Sequence, residues 1–169
     1  MLFFKLFNMN AANFFSKEHR EDIKLAIKMA ELDTSGEIRV HIELNCNKPS
    51  VERALEVFKL LKMDRTEDRN GVLLYLAVSS RKFAIIGDEG INKIVPENFW
   101  EDIKSKMLIH FREANFAQGI IESIQMVGDK LKTHFPHHRN DMNELSDEIS
   151  FDNIEIDKNS QIAVEQKTL

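Results

Sequence analysis

The stretch NGVLLYLAVSSRKFAIIGDEG, residues 70–90, decides the fold that we predict for this chain. Residues 72–78 are continuously apolar and β-prone, which is typical of a central strand covered on both faces. After the short turn at Ser79-Ser80, residues 81–86 form a second such run, which ends in the acidic sequence Gly87-Asp88-Glu89-Gly90. Because so short a turn reverses the chain, we expect these two strands to be antiparallel neighbours.

An alternating segment and an amphipathic helix precede this hairpin. In EIRVHIEL, residues 37–44, apolar side chains alternate strictly with polar ones, which predicts a half-exposed strand. Apolar residues then recur at helical spacing over residues 51–61. A strand-helix-strand connection makes its two strands parallel. The polar positions expected to face solvent are Glu37, Arg39, His41 and Glu43.

Helical patterns on either side of these strands complete the predicted architecture. Ser16 is placed to cap a helix that continues to about residue 30. Apolar stripes predict two more helices, one from Pro96 to about residue 111 and one over residues 115–134. We therefore predict a three-layer α/β/α sandwich with a small mixed sheet, made of two parallel strands plus an antiparallel hairpin strand.

The chain divides into one folded domain and two terminal segments. Residues 16–135 carry the periodic patterns and form the predicted α/β domain, which residues 1–15 precede as an N-terminal extension. Residues 136–169 are polar and acidic and lack a sustained period. We expect them to be a mostly flexible tail, within which residues 142–149 could form a short docked helix.

Charge and composition exclude several classes of function. The formal net charge of the whole chain is −5 at pH 7, and residues 136–169 alone, with three basic and eight acidic residues, account for all of it. A neutral body without a basic stripe argues against nucleic acid as a partner. The single cysteine, Cys46, excludes an internal disulfide, and no apolar run has the length of a membrane span. We expect a cytoplasmic protein, monomeric and without a transmembrane span.

The predicted topology brings distant carboxylates to one end of the sheet. The start of the first strand, the start of the second and the end of the third fall at the same edge. Carboxylates that share a small volume repel one another unless they are protonated, solvated or neutralised by a cation. Two interpretations stay open on the residues alone: a cation site, or solvated turn carboxylates paired with nearby arginines, Arg39, Arg65 and Arg69.

The same segments resemble the TPM-domain family, which takes in a thylakoid-lumen protein linked to photosystem II repair and many bacterial proteins. The resemblance covers about residues 16–135 and rests on SGEIRVHI, DRNGVLLYLAVSSRKFAIIGDEGI and FREANFAQGI. Its most specific part is Asn70-Gly71 with the apolar strand that follows, then Arg81 and Gly87. Family members commonly have an acidic residue directly before Asn-Gly, whereas this chain has Arg69 there and Asp68 one place earlier.

The resemblance implies a shallow acidic groove that binds a divalent cation, with Ca²⁺ favoured and Mg²⁺ possible. The ligands it points to in this sequence are Glu37, Asp68, Asn70, Asp88 and Glu89. Many members are exported or tethered to a membrane, but this chain has no clear signal peptide or anchor and is similar to a soluble bacterial-type branch.

Two functions follow from that resemblance. The first is a binding or regulatory module with a weak cation site, which acts through an unidentified protein partner. The second is an acid phosphatase that hydrolyses phosphomonoesters, in which a cation held by Asp68 and Asp88 polarises the phosphoryl oxygen. Glu37 or Glu89 would serve as the base, and no motif in the sequence specifies a nucleophile.

Overall fold

The structure is a computed structural model that describes residues 10–138 and 140–152. Its helices are α1 (Lys17–Glu31), α2 (Ser50–Leu60), α3 (Glu89–Asn92), α4 (Phe99–Arg112) and α5 (Phe116–His134). Its strands are β1 (Glu37–Glu43), β2 (Gly71–Ala77), β3 (Lys82–Gly87) and β4 (Ser150–Phe151). Within the described residues, none of the helices combines the length and the apolar composition that crossing a membrane requires.

The strands form one mixed sheet in the order β3-β2-β1-β4. Strand β1 runs parallel to β2, with Glu37 beside Gly71, and β2 runs antiparallel to β3, with Val72 beside Gly87. This arrangement confirms the predicted parallel pair and hairpin. Strand β4 pairs with the outer edge of β1 in parallel, His41 beside Ser150, and was not predicted from the sequence.

Helices cover both faces of the sheet, which confirms the predicted α/β sandwich. One face packs Ile38, Val40 and Ile42 of β1, with the matching side chains of β2, against α1, α4 and α5. The other face packs Leu73 and Tyr75 of β2 against α2. Burial of these apolar side chains supplies the main stabilising free energy of the fold.

The helix boundaries follow local signals closely, with one shift. Ser16 caps α1, since its side chain accepts a hydrogen bond from the His19 amide at 3.1 Å. The predicted last helix corresponds to α5. The helix predicted from Pro96 begins only at Phe99, because Pro96 lies in a turn whose carbonyl accepts the Phe99 amide.

The prediction that β1 is half-exposed is wrong. All seven of its residues are buried, including Glu37, Arg39, His41 and Glu43. Alternation correctly separated the two faces of the strand, but it cannot tell whether a polar face meets water or polar groups of the same chain. Here the polar face is covered by α2, by Tyr75 and by a segment near the C-terminus.

That covering segment consists of residues 140–152, which we call the C-terminal strap. It crosses the polar face of β1 and ends in β4. Its anchors are apolar as well as polar, since Ile149 is buried and Leu145 packs against the α2 side of the core. Residues 142–149 therefore dock on the body, as one reading of the sequence allowed, but they form no helix. The rest of the predicted tail, residues 153–169, lies outside the described residues.

Candidate functional site

The end of the sheet where β1 and β2 begin and β3 ends holds the candidate site. The register places Glu37 beside Gly71 and Val72 beside Gly87, so the three predicted chain points meet at this edge. The prediction that topology brings these segments together is confirmed. The side chains at the edge nevertheless divide into separate groups, each with its own partners.

Asp68 and Asn70 form the first group, and Ser35 joins them. The Asn70 amide nitrogen Nδ2 donates to Ser35 Oγ at 3.2 Å, and Ser35 Oγ donates to Asp68 Oδ2 at 3.2 Å. These two bonds set the orientation of the Asn70 amide. Its other end, Oδ1, is buried and has no hydrogen-bond partner within the described part of the chain. Because a buried acceptor without a donor is costly, this oxygen is suited to a ligand that supplies positive charge.

Asp88 belongs to a second group, in which it is already neutralised. The Arg69 guanidinium forms a fork on its carboxylate, with Nε 2.7 Å from Oδ2 and Nη2 2.8 Å from Oδ1. Asp88 also caps α3 by accepting the Glu89 amide at 2.7 Å. The Asp88 carboxylate raises the pKa of the Arg69 guanidinium above its usual value. Of the two interpretations left open by the sequence, arginine pairing therefore applies to Asp88.

Gly90 holds the Asp88 group against the loop that contains Asp68. The Gly90 amide donates to the Arg69 carbonyl at 2.8 Å. A Cβ atom at this position would lie 2.2 Å from the Asp68 carbonyl oxygen and 2.7 Å from that of Arg69. Only glycine allows so close an approach of two backbones, which explains the glycine that ends the acidic motif.

Glu37 faces the C-terminal strap rather than the other predicted ligands. Its carboxylate accepts the backbone amides of Glu144 at 2.7 Å and Leu145 at 3.3 Å. Burial raises the pKa of Glu37 to about 7, although the two amides partly oppose the shift. Nearby, Glu31 accepts the Ile38 amide at 2.6 Å, and burial raises its pKa to about 9. These carboxyls lie beside a cavity of about 260 Å³ between α1 and the strap.

Glu89, the fifth predicted ligand, points into solvent and pairs with Lys93 at 2.9 Å. Across residues 10–138 and 140–152, no three His, Cys, Asp or Glu side chains are arranged to hold a metal ion. The described residues therefore do not bring the predicted ligand set together around one point. Asp68 and Asn70 are placed to contribute oxygen atoms, whereas Asp88 and Glu37 already have partners within the protein.

Sequence reasoning missed two contributors to this edge. Ser35 is not among the predicted ligands, although a hydroxyl in a turn before a strand is a signal that could have marked it. Glu144 of the strap accepts the Glu67 amide with both carboxylate oxygens at 3.3 Å, and so reaches the loop that carries Asp68. No local sequence pattern predicts this contact, because Glu67 and Glu144 are 77 positions apart in the chain.

The opposite end of the polar face of β1 holds a different buried carboxylate, Glu43. Arg53 donates to it from Nε and Nη2, and the Tyr75 hydroxyl donates at 2.7 Å. His41 bridges to the strap, with Nε2 3.4 Å from Glu43 and Nδ1 2.8 Å from Ser150 Oγ. Burial alone would raise the pKa of Glu43, but the nearby imidazole of His41 and the hydrogen bonds from Arg53 and Tyr75 outweigh it and hold the pKa at about 2. This network fastens α2 and β4 to β1.

Solved structures with the same architecture support the description of the fold. The NMR structure of the BA42 protein from the psychrophilic bacterium Bizionia argentinensis matches with 41% identity and a TM-score of 0.77, over 82% of this chain and 96% of that one. The N-terminal domain of a P. gingivalis protein matches with 22% identity and a TM-score of 0.62, over 75% and 84%. The N-terminal domain of the cg2496 protein from Corynebacterium glutamicum matches with 13% identity and a TM-score of 0.56, over 70% and 74%. The latter two show the fold alone.

A comparison with family models matches the chain to the same family that the residues at this end of the sheet resemble. No curated protein matches the chain. The family model described as TPM domain matches residues 9–130, which include every strand of the sheet except β4 and every side chain of the Asp68 and Asp88 groups. The chain therefore belongs to the TPM-domain family.

Proposed function

We propose that this TPM-domain protein is a binding and regulatory module with a weak divalent-cation site at the Asp68 end of the sheet. The observation that carries the proposal is the Asn70 side-chain oxygen. Asn70 is only 1% exposed, and its Oδ1 lacks a partner within the described residues. An oxygen acceptor held in this way is prepared for a hard cation, since carboxylate, amide and hydroxyl oxygens are the ligands that Ca²⁺ prefers.

The charge of the group supports a low affinity. Asp68 is an exposed carboxylate, and the neighbouring ligands, Asn70 and Ser35, are neutral. A site with a single formal negative charge, completed by backbone carbonyls and water, belongs with the weakest protein calcium sites, at about 1 mM. Ca²⁺ is favoured over Mg²⁺ because an exposed loop tolerates irregular coordination better than the strict octahedron that Mg²⁺ requires.

A protein partner completes the proposal. Residues 136–169 carry a net charge of −5, which favours a partner with a basic surface. The described part of this region, the C-terminal strap, contacts the Asp68 loop through Glu144, so cation binding and partner binding would meet at one edge. The cytoplasmic location and monomeric state expected from the sequence belong to the same proposal.

The test is a titration of the ¹⁵N-labelled full chain with CaCl₂ at constant ionic strength. We expect the amides of Ser35, Asp68 and Asn70 to shift and to saturate near about 1 mM, and MgCl₂ to act more weakly. Asp68→Asn removes the charge from an exposed position and should abolish the shifts without unfolding the chain. Glu52→Gln is the matched control, since it removes one exposed carboxylate from α2. Shifts that persist in Asp68→Asn, or their absence in wild type at 10 mM, contradict the proposal.

Metal-assisted phosphatase activity is the second candidate. It is favoured by the position of Glu37, a buried carboxyl two residues from Ser35 that could serve as a base beside a cation. Against it, Asp88 is bound by Arg69 and Glu37 by the strap, so both would have to exchange partners. Hydrolysis of an aryl phosphate should vanish in Asp68→Asn and in Asp88→Asn. Equal trace rates in wild type and both variants would identify a contaminant instead.

A further inference from the structure

We propose that Arg69 is a tethered counter-ion that occupies Asp88 in place of a divalent cation and thereby sets the low affinity of the sheet end for such ions. This inference rests on the proposed cation site and concerns its regulation. It assigns Arg69 as a residue that determines specificity, because it decides which carboxylates at this edge are available to an incoming ion.

The geometry of the pair is that of a strong internal ion pair. Both nitrogens of the guanidinium fork meet both oxygens of the carboxylate, at 2.7 and 2.8 Å. A planar fork of this kind satisfies the carboxylate more completely than a single ammonium does. With the Glu89 amide bound as well, Asp88 has three donors and little remaining capacity for a metal.

The burial of the two partners is unequal, which makes Arg69 the member that can move. The Asp88 side chain is 7% exposed and fixed at the start of α3, whereas the Arg69 side chain is 44% exposed. Removal of the arginine would leave a buried carboxylate without a cation, close in sequence and in space to the Gly90 contact with the Asp68 loop. Such a carboxylate attracts a divalent ion strongly because the low dielectric raises the electrostatic interaction.

The backbone aims Arg69 at this target. Its φ of 51° lies in the left-handed region, which a side chain other than glycine seldom adopts. The conformation is held on both sides, by the Arg69 amide on the Thr66 carbonyl at 3.2 Å and by the Gly90 amide on the Arg69 carbonyl at 2.8 Å. These two backbone hydrogen bonds therefore fix the loop in the conformation that places the Arg69 guanidinium beside Asp88.

The inference predicts that neutralising Arg69 strengthens cation binding. Arg69→Gln keeps hydrogen-bond donors and removes the charge, so we expect CaCl₂ to bind at least about tenfold more tightly than to wild type. Arg69→Lys keeps the charge without the fork and should lie in between. Arg65→Gln is the matched control, since it removes one positive charge from the same loop without touching Asp88, and it should change the affinity less than about twofold.

Isothermal titration calorimetry and ¹⁵N NMR on wild type and the three variants, all full-length, measure the affinity for CaCl₂, and the thermal midpoint of each protein is recorded to confirm folding.

Tighter binding by Arg69→Gln than by Arg65→Gln, with new shifts at Asp88, supports the inference. Equal affinities of the two variants overturn it while leaving the cation site of the wild type intact. Binding by Arg69→Gln alone supports the inference and overturns the proposed function of the wild type. No binding by any of the four proteins overturns both. If Arg69→Gln unfolds, Arg69→Lys carries the comparison.

Discussion

Glu37 and Glu43 lie at the two ends of the same strand and on the same face, yet their pKa values are shifted in opposite directions from the ordinary value of a glutamate. Both are almost fully buried, at 3% and 5% exposure. The pKa of Glu37 is raised to about 7, whereas that of Glu43 is lowered to about 2. The difference comes from their partners. Glu43 contacts a guanidinium, a phenol and an imidazole, whereas the hydrogen bonds that Glu37 receives within the described part of the chain come from two backbone amides of the strap.

This comparison shows that the polar face of β1 is buried in two different ways. At the Glu43 end the charge is kept and matched by a permanent cation, as Asp88 is matched by Arg69 at the sheet end. At the Glu37 end no side chain within the described residues donates to the carboxylate, which accepts two backbone amides of a peripheral segment, so the carboxyl can be neutral or charged according to pH. The first arrangement stabilises the fold, and the second leaves an edge that can respond to solution conditions.

Loss of the cation at the Glu43 end should have the largest effect. Arg53→Leu leaves a buried carboxylate with only the phenol and imidazole, so we expect the free energy of unfolding at pH 7 to fall by about 3 kcal/mol. Urea denaturation followed by circular dichroism measures it. Glu56→Gln removes the exposed carboxylate that Arg53 shares with Lys48 and should cost less than about 1 kcal/mol. A similar loss in both variants would show that the bond between Arg53 and Glu43 is not what stabilises this end of the strand.

Separation of α3 from the Asp68 loop should have the next largest effect. Gly90→Ala places a methyl group 2.2 Å from the Asp68 carbonyl oxygen, which cannot move without shifting the loop. We therefore expect the free energy of unfolding, measured by urea denaturation, to fall by about 2 kcal/mol. Gly119→Ala is the control, because its added methyl group meets side chains at 3.0 Å and lies within a helix that favours alanine. Equal losses in the two variants would mean that the close approach of two backbones at Gly90 is not what makes this substitution costly.

The Glu37 end should make stability depend on pH. Because the folded state holds protons on Glu37 up to about pH 7 and on Glu31 up to about pH 9, it binds more protons than the unfolded chain above about pH 4.5. Their contribution is therefore fully present in acid and is lost as the pH rises through those values. For each of the two carboxyls we expect wild type to lose on the order of 1 kcal/mol per pH unit between pH 5 and pH 7, as measured by urea midpoints.

Glu37→Gln removes one of the two titrating groups and should flatten this slope. Glu89→Gln is its control, since that carboxyl is exposed and Lys93 lowers its pKa instead of raising it. An unchanged slope in Glu37→Gln would contradict the assignment of the shifted pKa to that residue.

The smallest effect is expected where the strap meets His41. Ser150→Ala removes the hydroxyl that lies 2.8 Å from His41 Nδ1 and should cost about 0.5–1 kcal/mol. The Leu44 amide, which donates to Asp152 at 3.0 Å, should exchange faster with deuterium because β4 is held less firmly. Ser146→Ala, on the exposed part of the strap, should leave that exchange rate unchanged. If Ser146→Ala speeds the exchange of the Leu44 amide as much as Ser150→Ala does, the polar contact with His41 is not what holds the strap on β1.

Much of the candidate site could be predicted, because the topology follows from connection lengths. A two-residue turn and a strand-helix-strand crossover were enough to bring Glu37, Asp68 and Asp88 to one edge. The partners of those carboxylates were not predictable in the same way. Arg69 reaches Asp88 across 19 positions through a left-handed backbone, and the strap reaches Glu37 across 107 positions through amides that every residue possesses.

By itself, the sequence determined the order and type of the main elements, the two faces of each strand and the chain ends that meet at the candidate site, since apolar periodicity and turn length act locally. Only the tertiary structure decided which polar groups are buried and what neutralises each of them. Burial of Glu37, Arg39, His41 and Glu43 depends on α2 and the strap packing over β1. The acidity of a carboxyl depends on the charges and dipoles within a few ångströms, and those come from segments that are distant along the chain.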